Sequence, residues 1–363
     1  MATVRQRLDP DVFRLPVDKL REGYYTDQYF NLTKELLEAS ERRAPVVMQV
    51  FQKHESVLGG IDEALAVLRL CSGRHRPDGT WADAWDDLVV HALHEGDEIE
   101  PWETVLVIEG DYSLFAHLET VYLGCLARRT LVMRNVRAVV DAARGKPILF
   151  FPARHDHWLV QTGDGWAAHV AGAIGVSTDA QASWWGGRGV GTVPHALIAA
   201  YGGDTVAAAL AFADRFEAST NITVLVDYEN DSIGTALAVA DALGHRLWGV
   251  RLDTSEQLID RSLQGLPGVD AHHGVNVELA RRVRGALDAA GHAGVRIVVS
   301  GGFDAAKIAR FEDAGAPVDA YGVGSSLLRG SNDFTADVVC LDRRRVAKAG
   351  REYRPNPRLE RVT

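Results

Sequence analysis

Cysteine is scarce in this chain. The sequence has three cysteines, Cys71, Cys125 and Cys340, which lie far apart and never form a CxxC pair. An odd number at these spacings argues against a zinc knuckle and for a reducing compartment. Long apolar runs are also lacking, and the polar N-terminus MATVRQRLDPD has no hydrophobic signal region. We therefore expect a cytoplasmic protein with no membrane segment and no zinc.

An excess of positive charge is absent as well. Lysine and arginine number 39 against 49 acidic residues, so the net charge is −10 and the isoelectric point is near 5.7. This balance argues against a nucleic-acid partner, and any anionic ligand has to be met by a local group of cations. Internal repeats and low-complexity segments are also lacking. At 363 residues the chain is long enough for two domains with substantial cores.

Short, β-branched runs dominate the second half of the chain. They are residues 224–229 (VLVDYE), 247–255 (LWGVRLDTS), 296–304 (RIVVSGGFD) and 319–326 (DAYGVGSS). Runs of this kind are typical of parallel strands buried on both faces. Helical patterns separate them at residues 234–244 and 305–315, each with a C-terminal glycine. The alternation predicts a β/α barrel or an open doubly wound sheet.

Small and charged residues follow these runs where the strands end. In a barrel such residues converge on one mouth, which is where we expect the functional site. The residues are Asp227, Arg251, Asp253, Ser300, Gly301, Gly302, Gly322, Gly324 and Ser325. The SGG and GVGSS turns leave backbone N–H groups free before a helix, which favours an anion such as phosphate. Tight βα turns need glycine in any case, so a purely structural role stays open.

The first half of the chain predicts a separate α/β domain. Residues 46–51 resemble a strand, residues 60–70 a helix, and residues 98–110 a turn into another strand. Residues 115–145 are strongly helical, with a break expected near Thr130. The basic tail from Arg343 is expected to be a solvated surface, or to fold over the mouth and add cations there.

Three further places carry candidate functional residues. Arg154 follows the buried run that starts at Pro147 and is suited to bidentate contact with a carboxylate or phosphate. His155 and His157 flank an aspartate, but neighbouring strand positions face opposite sides, which argues against a metal site. His195 stands at a helix start, where capping or packing is the plain interpretation.

Aromatic residues are dense near a predicted helix start at Thr26 or Asp27. They are Tyr24, Tyr25, Tyr29 and Phe30. Ordinary packing explains such residues in most proteins, and the alternative is that they flank a planar ligand.

The motifs together resemble one family. GVRLDTSEQL at residues 249–258 is similar to the GVRLDSGDL motif of nicotinate phosphoribosyltransferases, with Thr254 and Ser255 at the family's serine and glycine. Four more segments resemble that family: YYTDQYF, PWETVLVIEG, IVVSGGFD and GAPVDAYGVGSSL. The resemblance implies a type II phosphoribosyltransferase, with an N-terminal α/β sandwich domain beside an incomplete β/α barrel. We expect the sandwich at residues 1–130, completed by 335–363, and the barrel at 131–334.

The resemblance also implies an activity. The family joins nicotinate to phosphoribosyl pyrophosphate (PRPP), which gives nicotinate mononucleotide and pyrophosphate for NAD biosynthesis. It implies a homodimer or higher homo-oligomer with shared active sites, in which Tyr29 of the TDxY motif stacks on the pyridine ring of the neighbouring subunit. The residues expected at nicotinate are Asp27, Tyr29, Phe151, Arg154 and Ser177. A serine at position 177 suits a carboxylate substrate, whereas an aspartate would repel it.

Catalysis and energy coupling are expected from a second group of residues. His195 is similar to the histidine that the family phosphorylates with ATP, while Arg251 and Asp253 are expected to hold nicotinate and the ribose hydroxyls. Asp227 and Asp253 are the expected Mg²⁺ ligands, together with substrate phosphates. Two alternatives remain: a decarboxylating quinolinate phosphoribosyltransferase, and a non-catalytic barrel that senses phosphate or a nucleotide.

Overall fold

The computed structural model describes residues 6–267 and 272–363. Its helices are α1 (Val17–Arg21), α2 (Gln28–Ala39), α3 (Ile61–Cys71), α4 (Glu119–Ala142), α5 (Gln161–Val170), α6 (Asp179–Ala182), α7 (His195–Ala200), α8 (Thr205–Phe216), α9 (Ser232–Leu243), α10 (Val277–Ala289) and α11 (Ala305–Asp313). Its strands are β1 (Pro45–Phe51), β2 (Ser56–Val57), β3 (Gly73–His75), β4 (Trp81–Asp83), β5 (Val89–Ala92), β6 (Glu98–Ile99), β7 (Thr104–Asp111), β8 (Ile148–Phe150), β9 (Gly175–Val176), β10 (Ile222–Leu225), β11 (Leu247–Leu252), β12 (Arg296–Val299), β13 (Ala320–Val323), β14 (Thr335–Leu341), β15 (Arg344–Arg345) and β16 (Glu360–Arg361). The chain divides into a first unit, Met1–Arg134 with Gly330–Thr363, and a second unit, Asn135–Arg329.

The first unit is built on an antiparallel sheet in the order β15-β14-β1-β7-β5-β16. β1 lies inside it, so that Val50 pairs with Leu106 on one side and with Ala336 on the other. Val46, Met48 and Val50 of β1 are buried in the same apolar core as most of α3. One face of the sheet is therefore covered by helix, as in a sandwich of helix and sheet layers.

The basic C-terminal tail is tied to this sheet. β16 pairs with β5, and the Gln49 side-chain amide donates to the Glu352 carbonyl at 2.8 Å while its oxygen accepts from the Arg354 N–H at 3.0 Å. The Arg351 guanidinium lies 5.2 Å from the Trp102 ring centroid, within cation–π range. The tail is mostly exposed, as expected of a solvated surface, and backbone pairing and aromatic contacts hold it on the first unit.

The second unit contains a parallel sheet in the order β10-β11-β12-β13-β8-β9. Residues 190–193 join its two outer strands: the Val190 N–H donates to Val176 O at 2.7 Å, and the Val193 N–H donates to Thr223 O at 2.9 Å. A segment that bonds to both outer strands requires a strongly curled sheet, which distinguishes a barrel from an open doubly wound sheet. The predicted α/β fold, with a barrel and a separate sandwich domain, is confirmed.

Helix α4 runs without interruption through Thr130, so the expected break there was wrong. The Thr130 side chain is buried and its hydroxyl accepts a hydrogen bond from the Gly59 N–H at 3.0 Å. The close approach requires glycine, because a Cβ at position 59 would lie 2.8 Å from the Arg129 carbonyl oxygen. Tertiary contact thus stabilises a residue whose helix propensity is modest.

Among residues 6–267 and 272–363, no helix has the length and apolarity needed to cross a membrane.

Candidate active site

Most of the candidate residues lie at the carboxyl edge of the parallel sheet in the second unit. Arg251 lies in β11, and Asp253 is the first residue after that strand. Ser300 is the first residue after the neighbouring strand β12. The register pairs Arg251 with Val298 and Leu252 with Val299. Parallel pairing in this register brings the residues after each strand to the same edge, which is where βα barrels carry their sites.

Arg251, Asp253 and Ser300 form a bonded group that we call the arginine cluster. The Arg251 Nε–H donates to Ser300 Oγ at 2.7 Å, and the Ser300 hydroxyl donates to Asp253 Oδ1 at 2.6 Å. Arg251 Nη2 lies 3.6 Å from Asp253 Oδ2. Ser300 is 3% exposed, and its hydroxyl is committed to Asp253. The structure therefore places the Ser300 side chain as the link between arginine and aspartate.

A cavity of about 340 Å³ lies beside this cluster. Its lining consists of Phe151, Ala153, Arg154, Ser177, Val190, Gly191, Thr192 and Arg251. The Arg251 guanidinium carbon lies 5.2 Å from the Phe151 ring centroid, and Arg251 Nη1 donates to Thr192 Oγ1 at 3.4 Å. An aromatic face, two arginines and a hydroxyl thus converge on a space the size of a small ligand.

Part of this lining was not predicted from the sequence. Val190, Gly191 and Thr192 belong to the segment that joins the two outer strands, and they enter the cavity because of that pairing. The glycine-rich run GGRGVGT was the available signal, since it predicts an irregular backbone next to a ligand.

His195 and Asp227 form a second group, which we call the histidine pair. His195 is the first residue of α7, and the bridge between Val193 and Val224 sets it beside the end of β10. His195 Nε2 lies 3.0 Å from Asp227 Oδ1. The hydrogen bond to Asp227 raises the pKa of His195 above its ordinary value, and partial burial opposes this rise. The side chain of His195 is 44% exposed, whereas that of Asp227 is 9% exposed.

The first glycine turn follows β12. Gly301 and Gly302 have φ values of 86° and 66°, a left-handed conformation that favours glycine. A Cβ at position 302 would lie 1.8 Å from Glu256 Oε1. Lys307, which the sequence analysis missed, donates from Nζ to the Gly301 carbonyl at 3.0 Å, and burial lowers its pKa. This turn therefore has a cation on one side and a carboxylate on the other.

The second glycine turn is organised differently. Gly322 lies inside β13 and pairs with Leu149 of β8, and a Cβ there would lie 2.9 Å from the Phe151 ring. Gly324 precedes a short 3₁₀ turn that begins at Ser325. Gly322 therefore makes room for the aromatic wall of the cavity, while Gly324 and Ser325 are the residues past the strand end.

Asp27 and Tyr29 lie in the first unit, at the start of α2. Asp27 Oδ2 accepts a hydrogen bond from the Thr120 hydroxyl at 2.9 Å. Tyr29 is 61% exposed, and none of the residues of α2 is buried. The side chain of Thr26 is buried and its hydroxyl donates to the His117 carbonyl. Hydrogen bonds thus fix the start of α2, while the Tyr29 side chain is exposed.

Within the described parts of the chain, no group of three or more histidine, cysteine or acidic side chains is placed to hold a metal ion. Asp227 and Asp253 follow the neighbouring parallel strands β10 and β11, so both lie at the carboxyl edge of the sheet. Two carboxylates suit a cation such as Mg²⁺ when substrate oxygens and water supply its other ligands.

Comparison with known proteins shows which family this chain resembles. Residues 27–130 match the family model described as quinolinate phosphoribosyl transferase, N-terminal domain. Nicotinate phosphoribosyltransferase pncB1 of Mycobacterium tuberculosis is 35% identical over 250 residues, which cover 68% of this chain and 51% of that protein. The chain therefore spans about half the length of the curated relatives it matches.

Solved structures give the broadest coverage. Human nicotinic acid phosphoribosyltransferase matches this chain with 19% identity and a TM-score of 0.63. The match covers 87% of this chain and 75% of the human chain, and it supports the fold. The nicotinate-nucleotide pyrophosphorylase of Pyrococcus furiosus is 32% identical with a TM-score of 0.78, over 96% of this chain and 85% of its own. On this coverage, and with the nicotinate phosphoribosyltransferases among its relatives, the chain belongs to the type II phosphoribosyltransferase family.

Proposed function

We propose that the protein transfers the phosphoribosyl group of PRPP to nicotinate, which gives nicotinate mononucleotide and pyrophosphate. The observation that carries this proposal is the cavity of about 340 Å³, in which Phe151, Ser177, Arg154 and Arg251 surround a space suited to a single ring. Its curated relatives are named nicotinate phosphoribosyltransferases. The activity serves NAD biosynthesis.

The cavity suits an aromatic acid in two respects. The Phe151 ring offers a flat apolar surface for the pyridine, and aromatic pairs of this kind are favourable when offset. Arg251 and Arg154 carry permanent positive charge toward a carboxylate, and a guanidinium can hold both of its oxygens. A neutral ring without a carboxylate would offer these cations no negative charge.

The reaction requires charge stabilisation at both ends of the breaking bond. The nitrogen lone pair of the pyridine forms the bond to the ribose anomeric carbon, and the bond from that carbon to pyrophosphate breaks with its electron pair. Positive charge develops on the ribose and suits the nearby Asp253 carboxylate, while orientation of the ring nitrogen lowers the entropic barrier. Asp227 and Asp253 are the residues that would hold Mg²⁺, which would neutralise charge on the leaving pyrophosphate.

The glycine turns are the proposed phosphate site. Backbone N–H groups of Gly301, Gly302, Gly324 and Ser325 lie past the strand ends, and Lys307 adds a cation beside the first of them. Ser300 and Gly322 support this site indirectly, through the arginine cluster and the Phe151 wall.

ATP coupling is proposed through His195. Its Nε2 faces Asp227, and an N–H on that atom leaves the Nδ1 lone pair to form a bond to the γ-phosphorus of ATP, while the bond from that phosphorus to ADP breaks and ADP leaves. The nucleophilic form is the neutral imidazole, so the raised pKa of His195 moves the increase in phosphorylation rate to higher pH.

We propose a homodimer in which α2 is covered. This helix exposes Tyr29 at 61%, Leu32 at 61% and Leu36 at 68%, and these residues lie on one face at helical spacing. Large apolar side chains grouped in this way are typical of an interaction surface. Tyr29 would then reach the pyridine site of the partner subunit. The three unpaired cysteines support a reducing, cytoplasmic setting.

Quinolinate is the second candidate substrate, since residues 27–130 match the quinolinate phosphoribosyl transferase model. It carries two carboxylates, and its reaction releases CO₂. The two arginines that line the cavity are sufficient for one carboxylate held bidentately, which favours nicotinate.

The test is a product assay by mass spectrometry. The protein is incubated with PRPP and Mg²⁺ and with nicotinate, nicotinamide or quinolinate in parallel reactions, with and without ATP. We expect nicotinate mononucleotide and pyrophosphate from nicotinate at the highest rate. Nicotinate mononucleotide with CO₂ from quinolinate alone would establish the second candidate, and no product from any pyridine would refute the transferase proposal.

A further inference from the structure

Gln181 lies directly behind Ser177 and has no role in the site described so far. It is 1% exposed, and its Oε1 accepts hydrogen bonds from the backbone N–H groups of Ser177 at 3.0 Å and Thr178 at 3.2 Å. Two backbone donors require an acceptor, so they determine that the amide oxygen faces Ser177.

Packing holds Gln181 in this place. It is the third residue of α6, and its own N–H donates to Thr178 Oγ1 at 3.1 Å in a capping box. Helix α5 packs closely on the Gln181 backbone, since a Cβ at Gly165 would lie 2.1 Å from the Gln181 carbonyl oxygen. Packing thus fixes the backbone of Gln181, while the Ser177 and Thr178 N–H groups hold its side-chain oxygen.

The Ser177 hydroxyl is a third donor to the same oxygen, at 3.1 Å. An amide oxygen has two lone pairs, and the two backbone N–H groups already occupy them. The hydroxyl bond is therefore a surplus one. Ser177 lines the cavity, and a ligand carboxylate there offers a charged acceptor, to which hydrogen bonds are about twice as strong as to a neutral one. The hydroxyl proton can then turn from Gln181 to the ligand.

We propose that Gln181 is a positioning residue that keeps the Ser177 hydroxyl available as a donor and thereby makes the cavity select a pyridine carboxylate over the carboxamide. The inference rests on the proposed function and names what sets its substrate class. A carboxylate only accepts hydrogen bonds, so it matches a hydroxyl that donates. The NH₂ group of a carboxamide needs an acceptor instead, and it finds donors at Ser177 and at the two arginines.

The first test replaces Gln181 with glutamate. In Gln181→Glu a carboxylate holds the Ser177 proton firmly and adds negative charge behind the cavity, so the hydroxyl becomes an acceptor. We expect the ratio of kcat/KM for nicotinate to kcat/KM for nicotinamide to fall about tenfold or more, which is the effect of losing one charge-assisted hydrogen bond. Gln264→Glu is the matched control, because Gln264 is exposed and does not line the cavity.

A second variant separates positioning from charge. Gln181→Met keeps the side-chain length but removes the acceptor of the Ser177 and Thr178 N–H groups without adding charge. The turn that carries the Ser177 hydroxyl is then held less firmly at the cavity, and we expect the same ratio to fall severalfold. In the Ser177→Ala background both substitutions should leave the ratio nearly unchanged, because the hydroxyl that they act through is absent. Circular dichroism and thermal melting check that each variant is folded.

Several outcomes overturn the inference. Equal losses for nicotinate and nicotinamide would give Gln181 a purely structural role, and an undiminished effect of Gln181→Glu in Ser177→Ala would show that charge acts without the hydroxyl. The proposed function is judged separately, by product formation in the unmodified protein. If that protein forms no product, calorimetric titration of nicotinate and nicotinamide into the same variants still tests the selectivity, and an unchanged ratio of Kd values would refute it.

Discussion

The arginine cluster and the histidine pair occupy the same edge of the barrel but differ in how firmly their side chains are held. In the cluster Ser300 bridges Arg251 and Asp253 at 2.7 Å and 2.6 Å. In the pair one contact of 3.0 Å joins His195 to Asp227, and the imidazole is 44% exposed. The first group is bonded at several points, whereas the second is joined at one and open to solvent.

The difference concerns charge as well as geometry. A guanidinium stays protonated across the physiological range, so the cluster presents the same field at every relevant pH. The imidazole changes its charge near neutrality, and the hydrogen bond to Asp227 moves that change to higher pH. The barrel thus places a guanidinium whose charge is permanent at the same edge as an imidazole whose charge changes with pH.

The largest expected effect comes from Arg251→Lys. Lysine keeps the charge but loses the Nε–H bond to Ser300 and the planar contact with the Phe151 ring. We expect kcat/KM for nicotinate to fall roughly tenfold to hundredfold, as the loss of hydrogen bonds to charged groups costs about 1.5–3 kcal/mol each. Steady-state kinetics at saturating PRPP measures this.

Arg246→Lys is the control for that substitution. Arg246 forms ion pairs with Asp214 and Glu217. It lies just before β11, at the opposite end of the strand from Arg251. Equal kinetic losses in both variants would show that the rigid geometry of the cluster does not matter for catalysis.

A smaller effect is expected from Ser300→Ala, which removes the bridge and leaves both charges in place. Arg251 and Asp253 then lie 3.6 Å apart without the shared hydroxyl. We expect a loss of about 1–3 kcal/mol in unfolding free energy, because the bonds to a buried hydroxyl are lost, with a roughly fivefold to tenfold fall in kcat/KM.

Urea unfolding and initial-rate kinetics measure the two quantities. Ser326→Ala is the matched variant, since its hydroxyl donates to the Phe303 carbonyl at 2.7 Å outside the cluster. Full activity in the Ser300→Ala protein would show that the Ser300 bridge is not needed for catalysis.

The last prediction concerns Asp227→Asn and the pH profile of His195, separately from any loss of basal transfer that follows from removing a proposed Mg²⁺ ligand. The amide removes the negative charge that raises the pKa of His195, so that pKa should fall. In the unmodified protein the stabilising contribution of the pair is fully present below the unfolded pKa of about 6.5 and is lost as pH rises through the higher folded value. ATP-dependent stimulation, if it uses neutral His195, should then begin at lower pH in the variant.

NMR titration of the His195 imidazole gives the pKa directly, and acid-labile label from γ-labelled ATP reports phosphorylation. Asp204→Asn is a matched control, because the Asp204 side chain caps α8 by accepting from the Ala207 N–H, whereas His195 is bonded to Asp227. An unchanged His195 titration in Asp227→Asn would show that solvent, and not the carboxylate, sets the imidazole charge.

Much of the barrel could be predicted from local sequence. The strands β10 and β13 are short and buried at every residue, and such strands read as unbroken apolar runs with function starting where they stop. Because strand ends share an edge, Arg251, Asp253 and Ser300 could be grouped before the structure was known. The motif YYTDQYF likewise placed Asp27 at the start of a helix.

Other features depend on contacts between distant segments. Thr192 lines the cavity because Val190 and Val193 pair with two different strands, and no local pattern specifies that pairing. Gln181 reaches Ser177 through a capping box on a helix of only four residues, Asp179–Ala182. The bonds of Ser300 to Arg251 and Asp253 could not be predicted either, because they depend on the register of two strands. Tertiary register, more than residue type, decides these roles.

The order of strands in the first unit has a consequence for biosynthesis. β1 pairs with β7 on one side and β14 on the other, but β14 is made only after the whole of Asn135–Arg329. At about 5–20 residues per second, the ribosome needs on the order of ten seconds or more for that stretch. During this time β1 has an unpaired edge, and such edges invite pairing with other chains. The nascent protein is therefore most vulnerable to aggregation while its own barrel is being translated.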